Sequence, residues 1–297
     1  MQIQTKPQGL RIATPAKINL FLEVLARRPD GFHELESVML SVRLYDTLHF
    51  SLTDLPDDHL TLRSCGPGVS SSIPLDERNL ILKAARILRE TTGCPLRCQI
   101  ALEKRIPLEA GLGGGSSDAA AALVGLNRLW QLGLSRAELH GLAAQLGSDV
   151  NFFLDSIVLG LARGRGEQIE SRPLRGGLWL VLVKPPTGCS TREIFQRLVL
   201  TDQIRSAEPL LSALATGQLV RLKEQQWNAL TPPAASMNPE LRTLLSEVQA
   251  CDVLCTGMSG SGSTCFAICR TALQARQIGN RLRNRGCGAV YVTSAGI

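Results

Sequence analysis

Residues 111–123 read GLGGGSSDAAAAL, four glycines in five positions running into an alanine-rich stretch. Consecutive glycines carry a large conformational-entropy cost, so a chain keeps them where bare backbone must approach something closely. Upstream, CQIALEKRIP at 98–107 reads as a strand; downstream, Ala119, Ala122, Leu123, Leu126 and Trp130 keep helical spacing after Ser116 and Ser117. Strand, bare loop and helix in that order make an anion site. Several N–H groups can converge on a phosphate, and the helix N-terminus adds unpaired donors. A Walker A loop would end in Gly-Lys-Ser/Thr, and no lysine follows these glycines. A Rossmann fingerprint needs a sixth-place glycine where GLGGGS has Ser116. The alternative is a glycine-rich helix start with no ligand. A second bare stretch, TGMSGSGST at 256–264, falls between two expected strands, and two such backbones can face one triphosphate.

Charge agrees with an anionic partner. The 297 residues carry a net +6, which suits a nucleotide, a phosphorylated metabolite or a nucleic acid. An RNA-binding protein is the rival reading, prompted by Arg281, Arg283 and Arg285. The basic residues form no stripe interleaved with aromatics, however, and RLRNRG reads as a solvated helix end. Neither nucleic acid nor membrane is therefore an expected partner. The nine cysteines include no C-x-x-C and share the chain with four histidines, so reduced thiols are expected over a zinc site. No apolar run reaches membrane-spanning length and the N-terminus lacks a signal-peptide core, which together predict a cytoplasmic protein. Monomer and homodimer both stay open.

The first sixty residues alternate like strands. KINLFLEV puts Lys17 and Asn19 on one face and Ile18, Leu20 and Leu22 on the other, and RRPDGFHE reads as a connection. A capping box, Ser135 with Glu138, predicts the start of a helix that Gly147 ends. Helices are expected near 80–90, 202–214, 218–230, 239–250 and 271–285, and LWLVLV, 253–256 and 264–268 read as strands. The glycine- and arginine-rich stretch ARGRGEQIESRPLRGG predicts a boundary between two domains, 1–165 and 176–297. Strands and helices mix without regular β–α alternation, which argues α+β.

PAKINLFL, PLEAGLGGGSSDAA and GMSGSGSTCF together resemble the three motifs of the GHMP kinases. The likeness is strong from about residue 12 to 170 and thins afterwards to STREIF and the third motif. It implies two α+β domains with the active site in the cleft between them, and an ATP-dependent small-molecule kinase using Mg²⁺. By the same resemblance Lys17 and Asp149 are the catalytic pair. The ATP side takes Asn79, Lys104, Pro107, Leu108, Glu109, Ala110, Gly111, Leu112, Gly113, Gly114, Gly115, Ser116 and Ser117, with Ser117 as magnesium ligand. On position alone, Asp149 reads as a helix cap and Lys17 as a solvent-facing strand lysine. DGFHE resembles the branch whose acceptor is a cytidine-diphosphate sugar alcohol. There Phe32 and His33 meet the cytosine, Phe195 supplies a second stacking face, and Asn19, Thr191, Gly260 and Ser261 line the substrate. Homoserine and mevalonate-type acceptors, which carry no base, are the alternative within the family. Asp118, a carboxylate beside a phosphate site, reads as a first-turn complement to the helix dipole.

Overall fold

The computed structural model describes residues 1–66, 69 and 73–296. The chain opens with β1 (Gln2–Lys6) and two long strands, β2 (Gly9–Arg27) and β3 (His33–Thr53). β3 joins LESVMLSV and DTLHFSL into one strand, because Arg43, Leu44 and Tyr45 between them supply no turn chemistry. Two compact units result. The first contains Met1–Ala16, Leu44–Pro107 and Gly113–Ile157; the second contains Lys17–Arg43, Leu108–Leu112 and Val158–Ile297. β2 and β3 each begin in one unit and end in the other.

In the first unit, β1 pairs antiparallel with the start of β2, Ile3 opposite Ile12. β4 (His59–Cys65) runs parallel to β5 (Arg97–Lys104), which pairs antiparallel with the end of β3, Ile100 opposite Phe50. Four helices follow the same unit's chain: α1 (Leu80–Thr92), α2 (Gly114–Leu129), α3 (Arg136–Leu146) and α4 (Val150–Leu154). α2 packs on the other three and is buried along most of its length, from Ser117 to Leu123. A helix enclosed on several sides needs small side chains, which accounts for the alanines. At Gly125 even a methyl group would stand 3.0 Å from Ile12 and Phe50. α3 begins with the expected reciprocal cap: Glu138 N–H donates to Ser135 Oγ, and Ser135 N–H donates to the Glu138 carboxylate at 2.8 Å.

In the second unit, β6 (Leu159–Gly164) pairs with the start of β3 and with β7 (Gln168–Ser171). The stretch whose composition predicts a domain break is thus a hairpin, its turn fixed by Arg165 N–H donating to Glu167 at 2.6 Å. The compact units interleave in sequence where one break between 165 and 176 is expected, and Ile297, the end of the expected second domain, lies outside the described residues. β8 (Leu178–Lys184) leads to α5 (Thr191–Arg197), α6 (Glu208–Thr216), a 3₁₀ turn (Leu219–Arg221), α7 (Leu222–Gln225) and the short β9 (Trp227–Asn228). β9 runs parallel to β2, which breaks up the helix predicted over 218–230. α8 (Thr231–Met237) and α9 (Pro239–Gln249) precede β10 (Cys255–Met258) and β11 (Cys265–Cys269), then α10 (Ala272–Asn284) and β12 (Ala289–Ala295). These strands form an antiparallel sheet in the order β10-β11-β8-β12. Leu22, Val24, Val181, Val183, Leu241, Val248, Met258 and Leu282 belong to its core. The architecture is α+β, with mostly antiparallel pairing and helices grouped in runs.

All nine cysteines are free thiols. Burial pushes Cys255 up to about 12, which keeps it protonated and unreactive. Among the described residues no helix is long and apolar enough to cross a membrane.

Candidate active site

Lys17 is 4% exposed. A solvent-facing strand lysine is thereby ruled out. Its ammonium donates to Asn19 Oδ1 at 2.7 Å and to the Gly111 carbonyl at 3.1 Å, and its own N–H donates to the Leu112 carbonyl at 3.0 Å. Lys17 and Asn19 point the same way because they are two apart on β2. Asn19 is held in turn: its Nδ2 donates to Ser37 Oγ at 2.8 Å, and its N–H donates to Ser259 Oγ at 3.1 Å. One lone pair of the side-chain carbonyl and one amide hydrogen are in use, and these bonds let Asn19 orient Lys17.

The tip of the first glycine loop and the second glycine loop meet within this unit. Ser259 Oγ donates to the Gly111 carbonyl at 2.8 Å, and Thr264 N–H donates to the Ala110 carbonyl at 3.3 Å. Gly111 has φ +70°, and a Cβ there would fall on the Ser259 carbonyl. Gly260 has φ +56°, and its Cβ would stand 3.1 Å from Asn19 Oδ1 and 3.5 Å from the Lys17 ammonium. Bare backbone is required at both positions by a left-handed conformation and by close approach. A cation flanked by two such segments is a site for an anion.

The substrate-side residues also gather here. Thr191 Oγ1 and Ser261 Oγ lie 2.7 Å apart, tying the start of α5 to the second loop. One turn on, Phe195 stacks on His33 with centroids 4.8 Å apart and planes inclined by 28°. That spacing leaves no room for a base between the two rings; a base stacks on an outer face or the rings part. The turn before His33 is braced by Arg28, which donates to Asp30 at 3.2 Å and to Glu34 at 2.7 Å. Phe32 is 50% exposed, and the Arg165 guanidinium of the β6–β7 hairpin lies 4.9 Å from its ring centroid. Burial, and after it the charge of Arg27, holds the His33 imidazole below its ordinary pKa, so neutrality is favoured.

In the first unit α2 starts at Gly114, ahead of the Ser116 and Ser117 after which helical spacing is expected, with Gly113 as a left-handed cap at φ +67°. No side chain caps this end. The first N–H groups of α2, near Gly115 and Ser116, are therefore available to an anion. Glu109 is exposed, while Pro107, Ala110 and Leu112 are buried and Leu108 half-buried. Gly114 is explained by packing: its Cβ would stand 2.9 Å from Ile106 and 3.0 Å from Lys104 Nζ.

Lys104 itself departs from the adenine-side expectation. It is 2% exposed, and its ammonium lies 2.5 Å from both Asp46 and Asp118. Burial opposes the charge on Lys104, but the two carboxylates outweigh it and raise its pKa. Burial also drives Asp118 well above the usual carboxylate range, Lys104 lowering it only in part and Asp46 adding to the rise. Two carboxylates beside one ammonium hold an excess negative charge, which a proton on Asp118 relieves. Asp118 is thus a buried partner of Lys104 and not a surface complement to the helix dipole. Asp46 also accepts the N–H groups of Arg105 at 2.6 Å and Ile106 at 2.9 Å, which fixes the strand exit leading into the loop.

Ser117 is fully buried, donating to the Pro15 carbonyl at 2.6 Å and lying 2.5 Å from Thr14 Oγ1. Its hydroxyl is already used, so it does not fit a magnesium ligand. Among the described residues no group of three or more His, Cys, Asp or Glu could hold a metal ion. Asn79 caps α1, accepting Ile81 N–H at 3.0 Å and donating to the Pro74 carbonyl at 2.7 Å. Asp149 occupies the cap position of α4 yet makes no side-chain cap bond, which removes the bland reading of that aspartate. Asn151 lies 3.1 Å from His140 Nδ1, a tie from α4 to α3.

Sequence reasoning misses Ser37, Ser259 and Asn228. Asn228 Nδ2 donates to the carbonyls of Met258 and Gly260, each at 2.8 Å, and so shapes the second loop from β9. No local pattern signals it, because its partners lie some thirty residues away. Asp46 does leave a trace, an acid inside an apolar strand pattern.

Two families of domain match the chain: GHMP kinases N terminal domain over residues 79–155 and GHMP kinases C terminal over 210–287. A 4-diphosphocytidyl-2-C-methyl-D-erythritol kinase of Mycolicibacterium gilvum is 40% identical, covering 97% of this chain and 91% of the relative. A crystal structure of 4-(cytidine 5'-diphospho)-2C-methyl-D-erythritol kinase superposes with a TM-score of 0.80 at 32% identity, covering 97% and 99% of the two chains. A homoserine kinase from Cytophaga hutchinsonii, at 18% identity and a TM-score of 0.72 over 100% of this chain and 97% of its own, shares the fold.

Proposed function

The chain belongs to the GHMP kinases, and from that premise we propose that it transfers the γ-phosphoryl group of ATP to the 2-hydroxyl of 4-diphosphocytidyl-2-C-methyl-D-erythritol. The products are the 2-phosphate and ADP, a step of the non-mevalonate route to isoprenoids. The observation that carries the choice of acceptor is the His33–Phe195 stack beside exposed Phe32, an aromatic surface for which homoserine or mevalonate has no use.

The acceptor hydroxyl oxygen bonds to the γ-phosphorus as the bond from that phosphorus to the β–γ bridging oxygen breaks. The hydroxyl proton passes to Asp149, which also orients the nucleophile. Lys17, fixed by Asn19 and the Gly111 carbonyl, offers its charge to phosphoryl oxygens. Backbone donors from Gly111 to Ser116 hold the triphosphate. A loose transition state asks little of a base, so alignment and charge neutralisation supply most of the rate. Magnesium is carried in by the nucleotide as Mg-ATP. Lys104 serves from beneath, holding the strand exit through Asp46 and α2 through Asp118. Thr191 and Ser261 line the acceptor side.

An ADP-release assay over a panel of acceptors tests the proposal. Turnover is expected with the cytidine substrate and not with homoserine, mevalonate or phosphomevalonate. Comparable turnover with any of those three overturns it.

A further inference from the structure

Lys17, Asn19 and Ser37 are three buried side chains of the second unit, joined in one directed chain of hydrogen bonds. The Lys17 ammonium donates to Asn19 Oδ1 at 2.7 Å, and Asn19 Nδ2 donates to Ser37 Oγ at 2.8 Å. Ser37 Oγ donates in turn to the Phe21 carbonyl at 2.7 Å. The last acceptor has no hydrogen to give, and that end sets the polarity of every link. With its one hydrogen committed to the Phe21 carbonyl, Ser37 Oγ is left as an acceptor. The amide nitrogen of Asn19 must then face Ser37, and the amide oxygen must face Lys17.

An asparagine amide is nearly symmetric in shape, and its turned-over form differs mainly in what its two ends offer. Turned over, Asn19 would set its NH₂ group against the Lys17 ammonium, donor against donor. Its oxygen would meet Ser37, which could answer only by withdrawing its hydrogen from the Phe21 carbonyl. In a buried place each such mismatch leaves a polar group unsatisfied. Ser259 braces the same residue by the same device: its hydroxyl donates to the Gly111 carbonyl at 2.8 Å and accepts the Asn19 N–H at 3.1 Å. Ser259 thus holds the Asn19 backbone, and Ser37 holds the sense of its side chain.

We propose that Ser37 is a positioning residue for phosphoryl transfer. By keeping the Asn19 amide in one sense, it keeps an acceptor on the Lys17 ammonium and aims that ammonium at the transferring group. The inference rests on the role of Lys17 proposed above and adds to it a residue that acts through Asn19.

The test uses the full chain and the acceptor that the panel assay selects. Ser37→Ala is expected to lower kcat about tenfold, the worth of one hydrogen bond to a charged group, with the KM for ATP and acceptor little changed. In an Asn19→Ala background the same change should cost no further kcat. A serine that only supports the fold would cost as much in either background. Exchange of the Asn19 side-chain amide hydrogens, followed by NMR, reads the arrangement without turnover. It should be slow in the unaltered protein and about tenfold faster in Ser37→Ala. Normal kcat in Ser37→Ala beside an impaired Lys17→Met overturns the inference. So does a full further loss on adding Ser37→Ala to Asn19→Ala. Where a variant misfolds, the unaltered protein still decides, because fast exchange of its Asn19 amide overturns the inference. Normal kcat in Lys17→Met is the separate failure, which removes the role of Lys17 on which the inference rests.

Discussion

Lys104 in the first unit and Lys17 in the second are buried to nearly the same degree, 2% and 4% exposed, but their partners differ in kind. Lys104 sits between two carboxylates at 2.5 Å, in an arrangement that fixes a strand end to a helix. Two of the bonds Lys17 makes go to neutral oxygens, Asn19 Oδ1 and the Gly111 carbonyl, beside bare backbone at Gly260. An amide oxygen and a backbone carbonyl aim the Lys17 ammonium, and bare glycine backbone beside it leaves an anion room to approach. Lys104, packed between two acids that join a strand end to a helix, is equipped to hold the fold.

The comparison breaks most visibly in turnover. Lys17→Met and Asp149→Asn are each expected to lower kcat by about 10²–10⁴, the range for removing a positioned charge or a general base. The melting temperature should move little. Near-normal kcat in Lys17→Met at saturating Mg-ATP and acceptor would place Lys17 with Lys104 as a structural lysine.

The reverse pattern is expected at Lys104. Lys104→Met leaves two buried carboxylates without their cation, and breaking a buried pair in this way costs roughly 3–5 kcal/mol. Denaturant unfolding should show that loss. Replacing all three groups, as Asp46→Asn, Asp118→Leu and Lys104→Met, should recover much of it, since removing an entire buried ionic cluster can be close to neutral. Full stability in Lys104→Met alone would mean that the ammonium contributes little to the fold.

The sequence makes Lys17 legible and Lys104 misleading for a physical reason. Lys17 lies in a local pattern, two residues from Asn19 on one face of a strand, and the motif around it agrees with that geometry. Lys104 is also near the glycine loop in sequence, and nearness suggests a ligand contact. Its role is set by Asp46, some sixty residues earlier, which no local pattern connects to it. The same holds for Ser117, whose hydroxyl is claimed by Pro15 and Thr14 about a hundred residues away. Helix starts were legible where a side chain caps them, as at Ser135, and shifted at α2, where glycine caps and only tertiary packing sets the first turn. The hairpin at 159–171 was hidden because its composition is that of a linker, while its pairing partner is the start of β3.

The smallest expected effect sharpens the contrast between a charge kept and a charge avoided. His33, stacked on Phe195, is held below the ordinary 6.5 chiefly by burial and then by the charge of Arg27. A histidine depressed in the folded state adds stability above its unfolded pKa, and that stability is lost as pH falls through the folded value. For substrate, the neutral ring keeps a nitrogen able to accept a hydrogen bond from the cytosine amino group, and protonation removes it. The KM for the cytidine substrate is therefore expected to be flat above pH 6.5. Well below the His33 pKa the neutral fraction falls about tenfold per pH unit, which bounds the rise in KM there. The KM for ATP, which does not involve His33, should not follow that curve. His33→Gln retains an acceptor that does not titrate, so its KM should be higher at neutral pH but level across the same range. If the variant keeps the acid-side rise, the titrating group is elsewhere and His33 does not read the base.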